Sequence, residues 1–231
     1  MKQILQNLSN GKTTVAEIPS PAIDDNGLLV ETKKSLVSIG TERMLVDFGK
    51  SNLIGKAKSQ PEKVKLVLDK IKTEGILNTI DTVKSKLEQP ISLGYSNVGI
   101  ILKSKTSEFK TGDRVVTNAS HAEVVKAFPM LCAKIPDEVD DETASFTVVG
   151  AIALQGIRLA NPSIGDNVVV FGLGLVGLLT IQILIANGCK VLGIDFDKKK
   201  CMLAKQYGAN VLQLNKNSSV IEAANIFSNR Q

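Results

Sequence analysis

The sequence predicts an α/β protein in which a β-rich unit is followed by a parallel α/β unit. Up to about Pro136, short β-branched runs alternate with turn residues, which is typical of strands in a β-rich domain. From Asn167 onward, apolar runs alternate with helical patterns and short connections, which is typical of a parallel sheet with helical crossovers. The 231 residues, 43% of them hydrophobic and 22% charged, suffice for a core without disulfides.

The first unit is expected to contain five well-marked strands and one helical interruption. The strands are Thr13–Ile18, Gly27–Val37, Asn97–Leu102, Arg114–Thr117 and Ala122–Lys126. Between Ser51 and Gln89 the apolar residues recur at helical spacing on both sides of Gly75, which predicts a two-helix insertion. Ser59 followed by Glu62 has the spacing of a capping box, with Pro61 in the first helical turn, where proline is tolerated.

A helix is expected over Thr143–Leu159, and the second unit then follows as alternating strands and helices. The expected order is strand Asn167–Phe171, a glycine turn and helix over Gly172–Asn187, strand Lys190–Asp195, helix Lys198–Tyr207, strand Val211–Leu214 and helix Val220–Phe227. Asp197 is placed to cap the second of these helices, and Gly188 suits the end of the first.

Charge and cysteine content restrict the kinds of partner and compartment. The net charge of +5 comes mostly from dispersed lysines, and aromatic residues make up 4% with no Trp, so we expect no nucleic-acid partner. The three cysteines include no CxxC pair, and the N-terminal residues show no signal-peptide pattern. These features predict a reduced, cytoplasmic protein.

The strongest motif is the GxGxxG of Gly172, Gly174 and Gly177. It follows a predicted strand, it opens a predicted helix, and Asp195 lies 23 positions after its first glycine, at the end of the next strand. Such a turn lets a pyrophosphate approach the backbone at the helix N-terminus, here at Leu175 and Val176. The Asp195 carboxylate would accept hydrogen bonds from ribose hydroxyls and repel a 2′-phosphate, which favours NAD over NADP.

Hydropathy alone allows a different interpretation of the same residues. Val168–Ala186 contains only Thr180 and Gln182 as polar side chains and is nearly long enough to cross a bilayer. The three glycines within six residues, the β-branched run ahead of them and the lack of flanking aromatic residues argue against a membrane helix. We therefore expect a strand and helix buried in a parallel sheet, and no membrane partner.

Several motifs resemble the N-terminal part of the medium-chain dehydrogenase/reductase superfamily, the zinc-type alcohol dehydrogenases among them. These motifs are Ile39–Glu42, Leu93–Gly99, Gly112–Val116, Gly165–Gly177 and Gly193–Asp195. The helical insertion looks like the branch related to bacteriochlorophyllide dehydrogenase, whose members often carry a second oxidoreductase domain. The resemblance implies a GroES-like β-barrel domain over residues 1–160, with the insertion at about 51–89, and a partial Rossmann doubly wound parallel sheet over residues 161–231.

The resemblance also implies site residues. Lys200 matches a lysine that lies near the adenosine ribose in the superfamily, although a solvated lysine is an equal alternative. Tyr95 is the candidate proton donor, because zinc-free members use hydroxyl groups near the nicotinamide; a packed core tyrosine is the alternative. Ser38 and Glu42 could orient a substrate or serve as structural groups, and His121, the single histidine, could be a relay.

The places where zinc members carry metal ligands hold other residues here. Ser38, Tyr95, Ser96 and the pair Val148–Val149 stand there, and hydroxyls and aliphatic groups are poor zinc ligands. We therefore expect a zinc-independent oxidoreductase that uses NAD to interconvert an alcohol and a carbonyl group of a small molecule. The family resemblance implies a sugar or glycoconjugate as that molecule.

Two further expectations concern the state of the chain. Three strands are recognisable after residue 161, which is half of a doubly wound sheet, so we expect an incomplete enzyme that tends to form homo-oligomers through an open sheet edge. A nucleotide-binding scaffold or regulatory domain without turnover is the alternative function.

Overall fold

A computed structural model describes residues 1–229, except for the side chains at positions 74 and 77, and the chain divides into two units after Ser145. The sequence places the boundary near residue 160. The difference is the helix Thr147–Ala160, which the sequence assigns to the first domain. In the structure this helix packs on the helix Leu175–Ala186 and therefore clusters with the second unit.

The first unit is built on antiparallel strands. They are β1 (Lys2–Gln6), β2 (Thr13–Glu17), β3 (Leu28–Ser35), β4 (Ile91–Ser92), β5 (Asn97–Ser104), β6 (Arg114–Thr117), β7 (Val124–Ala127) and β8 (Cys132–Lys134). A five-stranded sheet has the order β7-β3-β5-β6-β8, and a three-stranded sheet has the order β2-β1-β4. The core of this unit contains Leu28, Val30, Ile101, Val115 and Val125. In β3 and β7 the buried residues alternate with partly buried ones, as the strand pattern predicts.

Four helices lie between β3 and β4, where the sequence predicts two. They are α1 (Ile39–Lys50), α2 (Leu53–Ser59), α3 (Pro61–Glu74) and α4 (Ile76–Glu88). The division at Gly75 and the position of Pro61 in the first turn of α3 agree with the prediction. The capping box is wrong: Gln60 precedes α3 without a side-chain cap, and the Ser59 hydroxyl instead donates to the Lys56 carbonyl at the end of α2.

Lys56 fastens α2 to the end of α1. Its Nζ donates to the carbonyl oxygens of Gly49, Ser51 and Ser9 at 3.0, 2.6 and 3.2 Å, and the residue is 7% exposed. Carbonyls at a helix C-terminus carry partial negative charge, so an ammonium group is stabilised there.

The second unit is a parallel sheet covered by helices. After the short helix α5 (Asp141–Ala144) that closes the first unit, it contains α6 (Thr147–Ala160), β9 (Asn167–Phe171), α7 (Leu175–Ala186), β10 (Lys190–Asp195), α8 (Lys198–Gln206), β11 (Asn210–Gln213) and α9 (Val220–Phe227). The single helix expected over Thr143–Leu159 is thus interrupted at Ser145 and Phe146. Asp140 caps α5 by accepting a hydrogen bond from the Thr143 N–H. Asp140, Asp141 and Glu142 therefore belong to a separate short helix.

The strand order among the described residues is β11-β10-β9, with both pairs parallel. Val170, Leu173, Ile181 and Leu184 form the core with Val191. The apolar run that hydropathy allows as a membrane segment is therefore β9 followed by α7. Within residues 1–229, none of the helices combines the length and apolar character that crossing a bilayer requires.

Candidate cofactor turn and buried polar cluster

The glycine turn between β9 and α7 has a shape that side chains would prevent. A Cβ atom on Gly177 would lie 1.9 Å from the Gly172 carbonyl oxygen, so helix and turn touch backbone to backbone. Gly172 has φ +83°, a conformation that glycine adopts without strain. A Cβ atom on Gly174 would meet nothing within 4 Å, so open space remains above the turn.

The N-terminus of α7 offers uncapped backbone donors to that space. Gly174 precedes the helix and has no side chain, and the first helical hydrogen bond runs from the Leu178 N–H to the Gly174 carbonyl. The N–H groups of Leu175 and Val176 come before this bond and belong to the first turn, where helices leave their N–H groups unpaired. Donors at the positive end of the helix dipole suit an anionic group such as a pyrophosphate.

Asp195 connects the end of β10 to the glycine turn. Its Oδ2 accepts from the Leu173 N–H at 2.7 Å, and its Oδ1 accepts from the Asp197 N–H at 2.8 Å. Desolvation by burial raises the pKa of this carboxyl, but the hydrogen bonds from Asp197 and Leu173, with help from Lys200, outweigh it and hold the pKa below its usual value. The ionised carboxylate retains two unused acceptor positions, which fit a pair of ribose hydroxyls.

Lys200 is a weaker part of this site. Its Nζ lies 3.9 Å from Asp195 Oδ2, and its side chain is 45% exposed. Asp197 caps α8 by accepting from the Lys199 N–H at 2.7 Å, as the sequence predicts, and this cap fixes the first turn on which Lys200 lies.

In the first unit, three of the four expected catalytic residues form one buried hydrogen-bonded chain. Glu42 Oε1 accepts from the Ser38 N–H at 2.8 Å, and Glu42 Oε2 lies 3.1 Å from His121 Nε2. The other imidazole nitrogen, Nδ1, lies 2.9 Å from the Ser35 hydroxyl. Glu42 and His121 are 7% and 6% exposed, so they contact each other rather than solvent.

Tyr95 directly follows Gly94, the residue whose backbone contacts the His121 ring of this hydrogen-bonded cluster. His121 packs against Gly94, where a Cβ atom would stand 2.6 Å from the imidazole Cγ, and the His121 N–H donates to the Leu93 carbonyl at 2.8 Å. The Tyr95 side chain is half-buried, and within residues 1–229 its phenol makes no hydrogen bond.

Sequence reasoning missed Ser35 and Gly94. Ser35 is the last residue of β3 and has no motif around it. Gly94 stands inside a motif, but the reason for its lack of a side chain, the imidazole of a residue 27 positions later, becomes visible only in the fold. Its φ of +93° gives a second reason for glycine at this position.

Relatives of this chain are found among alcohol dehydrogenases. No protein-family model matches it. An alcohol dehydrogenase of Moraxella sp. is 35% identical over 106 residues, which are 46% of this chain and 31% of that protein. The (R,R)-butanediol dehydrogenase of Bacillus subtilis is 25% identical over 162 residues, which are 57% of this chain and 47% of that protein. The chain thus spans less than half of the length of both relatives.

Solved structures give the same result for the fold. The crystal structure of the Escherichia coli quinone oxidoreductase complexed with NADPH matches 100% of this chain and 63% of that one, with a TM-score of 0.74 at 16% identity. Both comparisons support the predicted resemblance to the medium-chain dehydrogenase/reductase superfamily. The predicted fold class, a GroES-like barrel followed by part of a Rossmann sheet, is confirmed.

The positions where zinc-type alcohol dehydrogenases carry metal ligands hold other residues in this chain. Ser38 contributes its backbone N–H to Glu42, and the Ser96 hydroxyl donates to the Ser145 carbonyl at 2.5 Å. Throughout residues 1–229, no three Cys, His, Asp or Glu side chains gather as a metal-ligand set. The Ser96 hydroxyl and the Glu42 carboxylate are instead engaged in hydrogen bonds within the first unit.

Proposed function

We propose that this chain takes part in hydride transfer between NAD(H) and an alcohol or carbonyl carbon of a small molecule, without zinc. One observation carries the proposal: Asp195 is joined to the glycine turn by the 2.7 Å hydrogen bond from Leu173, which puts a ribose-binding carboxylate beside a pyrophosphate-binding backbone. A superfamily neighbour complexed with NADPH supports a nicotinamide cofactor.

In this proposal the second unit binds the adenosine and pyrophosphate parts of the cofactor. The N–H groups of Leu175 and Val176 donate to the pyrophosphate, while Gly172, Gly174 and Gly177 let it approach. Asp195 accepts from the ribose hydroxyls, and its charge disfavours a phosphate at the same place. Lys200, with its flexible side chain, contributes a modest attraction.

The first unit would supply the proton chemistry. A bound nicotinamide provides or accepts the hydride, and a group of the chain must then stabilise or protonate the substrate oxygen. We assign this role to the Tyr95 phenol, whose oxygen is free of hydrogen bonds to other described residues. Ser38, Glu42 and His121 form a buried hydrogen-bonded cluster, and the His121 ring packs against Gly94, the residue before Tyr95.

The proposal also covers the substrate, the family branch, the oligomeric state and the cellular compartment. We propose a sugar or glycoconjugate alcohol as substrate, membership of the branch related to bacteriochlorophyllide dehydrogenase, and a homo-oligomer in the cytoplasm. Free thiols at Cys132, Cys189 and Cys201 suit a reducing compartment. We also propose that the boundary between the GroES-like and Rossmann domains lies near residue 160, after α6.

Calorimetric titration with NADH and NADPH tests the cofactor assignment. We expect tighter binding of NADH, and we expect Asp195→Ala to weaken it by about 1–3 kcal/mol because two backbone donors and the ribose lose their acceptor. Lys199→Ala, which changes a neighbouring exposed lysine, is the matched control and should leave NADH binding unchanged.

Three outcomes would contradict parts of the proposal. Tighter binding of NADPH would reverse the cofactor preference and direct attention to Lys198, Lys199 and Lys200. Tight cofactor binding without turnover in the complete protein would favour a regulatory nucleotide-binding domain. One zinc per chain in elemental analysis, after purification without chelators, would refute zinc independence.

A further inference from the structure

We propose that Glu42 and His121 are positioning residues that hold the Gly94–Tyr95 segment, and with it the Tyr95 phenol, in one orientation. This inference rests on the proposed function, because it gives Tyr95 a task that requires a fixed phenol. The two residues act through packing and hydrogen bonds and do not contact substrate.

The first observation is that every side-chain polar atom of the pair has a hydrogen-bond partner inside the cluster. Each carboxylate oxygen of Glu42 has a partner, and each imidazole nitrogen of His121 has a partner. A buried carboxylate is costly unless it is fully hydrogen-bonded, and here the helix N-terminus at Ser38 and the imidazole supply the donors. These hydrogen bonds therefore join the start of α1, the end of β3 and His121, which lies three residues before β7.

The second observation is that this joined unit presses on the backbone next to Tyr95. The imidazole occupies the space that a side chain at position 94 would fill, with Cγ at 2.6 Å and Cδ2 at 2.7 Å from an ideal Cβ. The backbone N–H of His121 donates to the Leu93 carbonyl, and the Leu93 N–H donates to the Ile4 carbonyl at 3.1 Å. The segment before Tyr95 is thus fixed by a side chain and by two backbone hydrogen bonds.

The third observation is that the segment after Tyr95 is fixed as well. The Ser96 hydroxyl donates to the Ser145 carbonyl, and the Leu36 N–H donates to the Ser96 carbonyl at 3.0 Å. The Asn97 amide donates to the Thr32 hydroxyl and to the Ser120 carbonyl. Tyr95 is therefore half-buried between two fixed neighbours, and its own phenol makes no hydrogen bond to another described residue.

Tyrosine fluorescence tests this arrangement in the full chain without any cofactor or substrate. The sequence contains two tyrosines and no tryptophan, so a Tyr207→Phe background leaves Tyr95 as the sole tyrosine emitter. We measure acrylamide quenching and fluorescence anisotropy of Tyr95. Glu42→Ala and His121→Ala should each raise the quenching constant about two-fold and lower the anisotropy, because local order at the segment is lost.

Two matched variants separate positioning from general destabilisation. Val115→Ala removes a fully buried core side chain of β6, so it destabilises the same unit without touching the Tyr95 segment; its quenching constant should equal the background value. Glu42→Gln keeps the shape, the acceptor for the Ser38 N–H and a polar contact with His121, so it should restore most of the background quenching.

Equal quenching in His121→Ala, Glu42→Ala and Val115→Ala would overturn the proposal, and so would Glu42→Gln being as disruptive as Glu42→Ala. If a single variant fails to fold, the double variant Glu42→Ala with His121→Ala leaves no unpaired buried charge and gives the same readout. A positive fluorescence result in a protein that lacks turnover would refute the proposed function alone. Unchanged quenching in a protein with turnover would refute the positioning role alone.

Discussion

The glycine turn of the second unit and the Gly94 segment of the first unit both contain a close backbone contact at a glycine. In the turn the contact is with another part of the backbone, and at Gly94 it is with a side chain. At the turn, Gly177 meets the Gly172 carbonyl five residues away, and backbone alone makes the contact. At Gly94, an imidazole from residue 121, kept in place by Glu42, fills the space. The first arrangement is local in sequence, and the second gathers residues from distant segments.

The two arrangements are therefore sensitive to opposite kinds of substitution. A backbone contact within six residues fails when an atom is added, because neither partner can move without distorting β9 or α7. A side-chain contact fails when an atom is removed, because buried polar groups then lose partners. The following predictions use this contrast, in order of decreasing effect.

Gly177→Ala should cause the largest loss of stability. The new methyl group would stand 1.9 Å from a carbonyl oxygen, so α7 must shift away from β9, at a cost of about 3 kcal/mol or more. Urea unfolding followed by circular dichroism measures the loss. Gly174→Ala is the control and should cost less than about 1 kcal/mol, since its Cβ meets nothing within 4 Å. Equal losses in the two variants would show that the contact at Gly177 is relieved easily.

Substitution of Glu42 or His121 by alanine should cause the second-largest loss of stability. Each alanine variant leaves a buried polar partner unpaired and should lower the free energy of unfolding by about 3 kcal/mol. The double variant should lose less than the sum of the single variants, with a coupling of about 1–2 kcal/mol. Additive losses in chemical unfolding would indicate that the two side chains do not depend on each other.

Asp195 should make the stability of the chain depend on pH. Its folded pKa lies below the usual value, so the carboxylate contributes stability above about pH 4 and loses that contribution as the pH falls through the folded pKa. Thermal melts of wild type and Asp195→Asn should differ by about 1 kcal/mol at pH 6, and the difference should shrink toward pH 3. A difference that is constant across this range would contradict the assignment.

Lys200→Ala should have the smallest effect. The ion pair with Asp195 is long, at 3.9 Å, and the lysine side chain is substantially exposed, so the stability change should stay below about 0.5 kcal/mol. Lys198→Ala provides the comparison on the same helix. A loss above 1 kcal/mol, specific to position 200, would show that this lysine is more firmly held than its exposure indicates.

Much of the second unit could be predicted from sequence because its signals are local. The bounds of β9, β10 and α9 and the cap at Asp197 agree with the sequence expectation, since each depends on apolar periodicity or on a residue within one helical turn. The glycine turn was recognisable for the same reason.

The first unit was predicted less completely because its decisive contacts are distant in sequence. Glu42, His121 and Ser38 were each singled out, but their joining and the part played by Ser35 depend on how β3, α1 and the segment before β7 come together. The helix α1 was missed, and Ser59 was assigned to the wrong helix, because a serine before a proline can close one helix as readily as open the next.

The buried amine of Lys56 has a consequence for chemical labelling of the protein. An acylating reagent needs a free amine lone pair and an open approach, whereas this nitrogen is enclosed by the carbonyl groups of Ser9, Gly49 and Ser51. Lysines on the exposed faces of α3 should therefore react first, and Lys56 should react only after α2 detaches from α1. The rate at which Lys56 is modified would therefore report the rate at which the helical insertion opens.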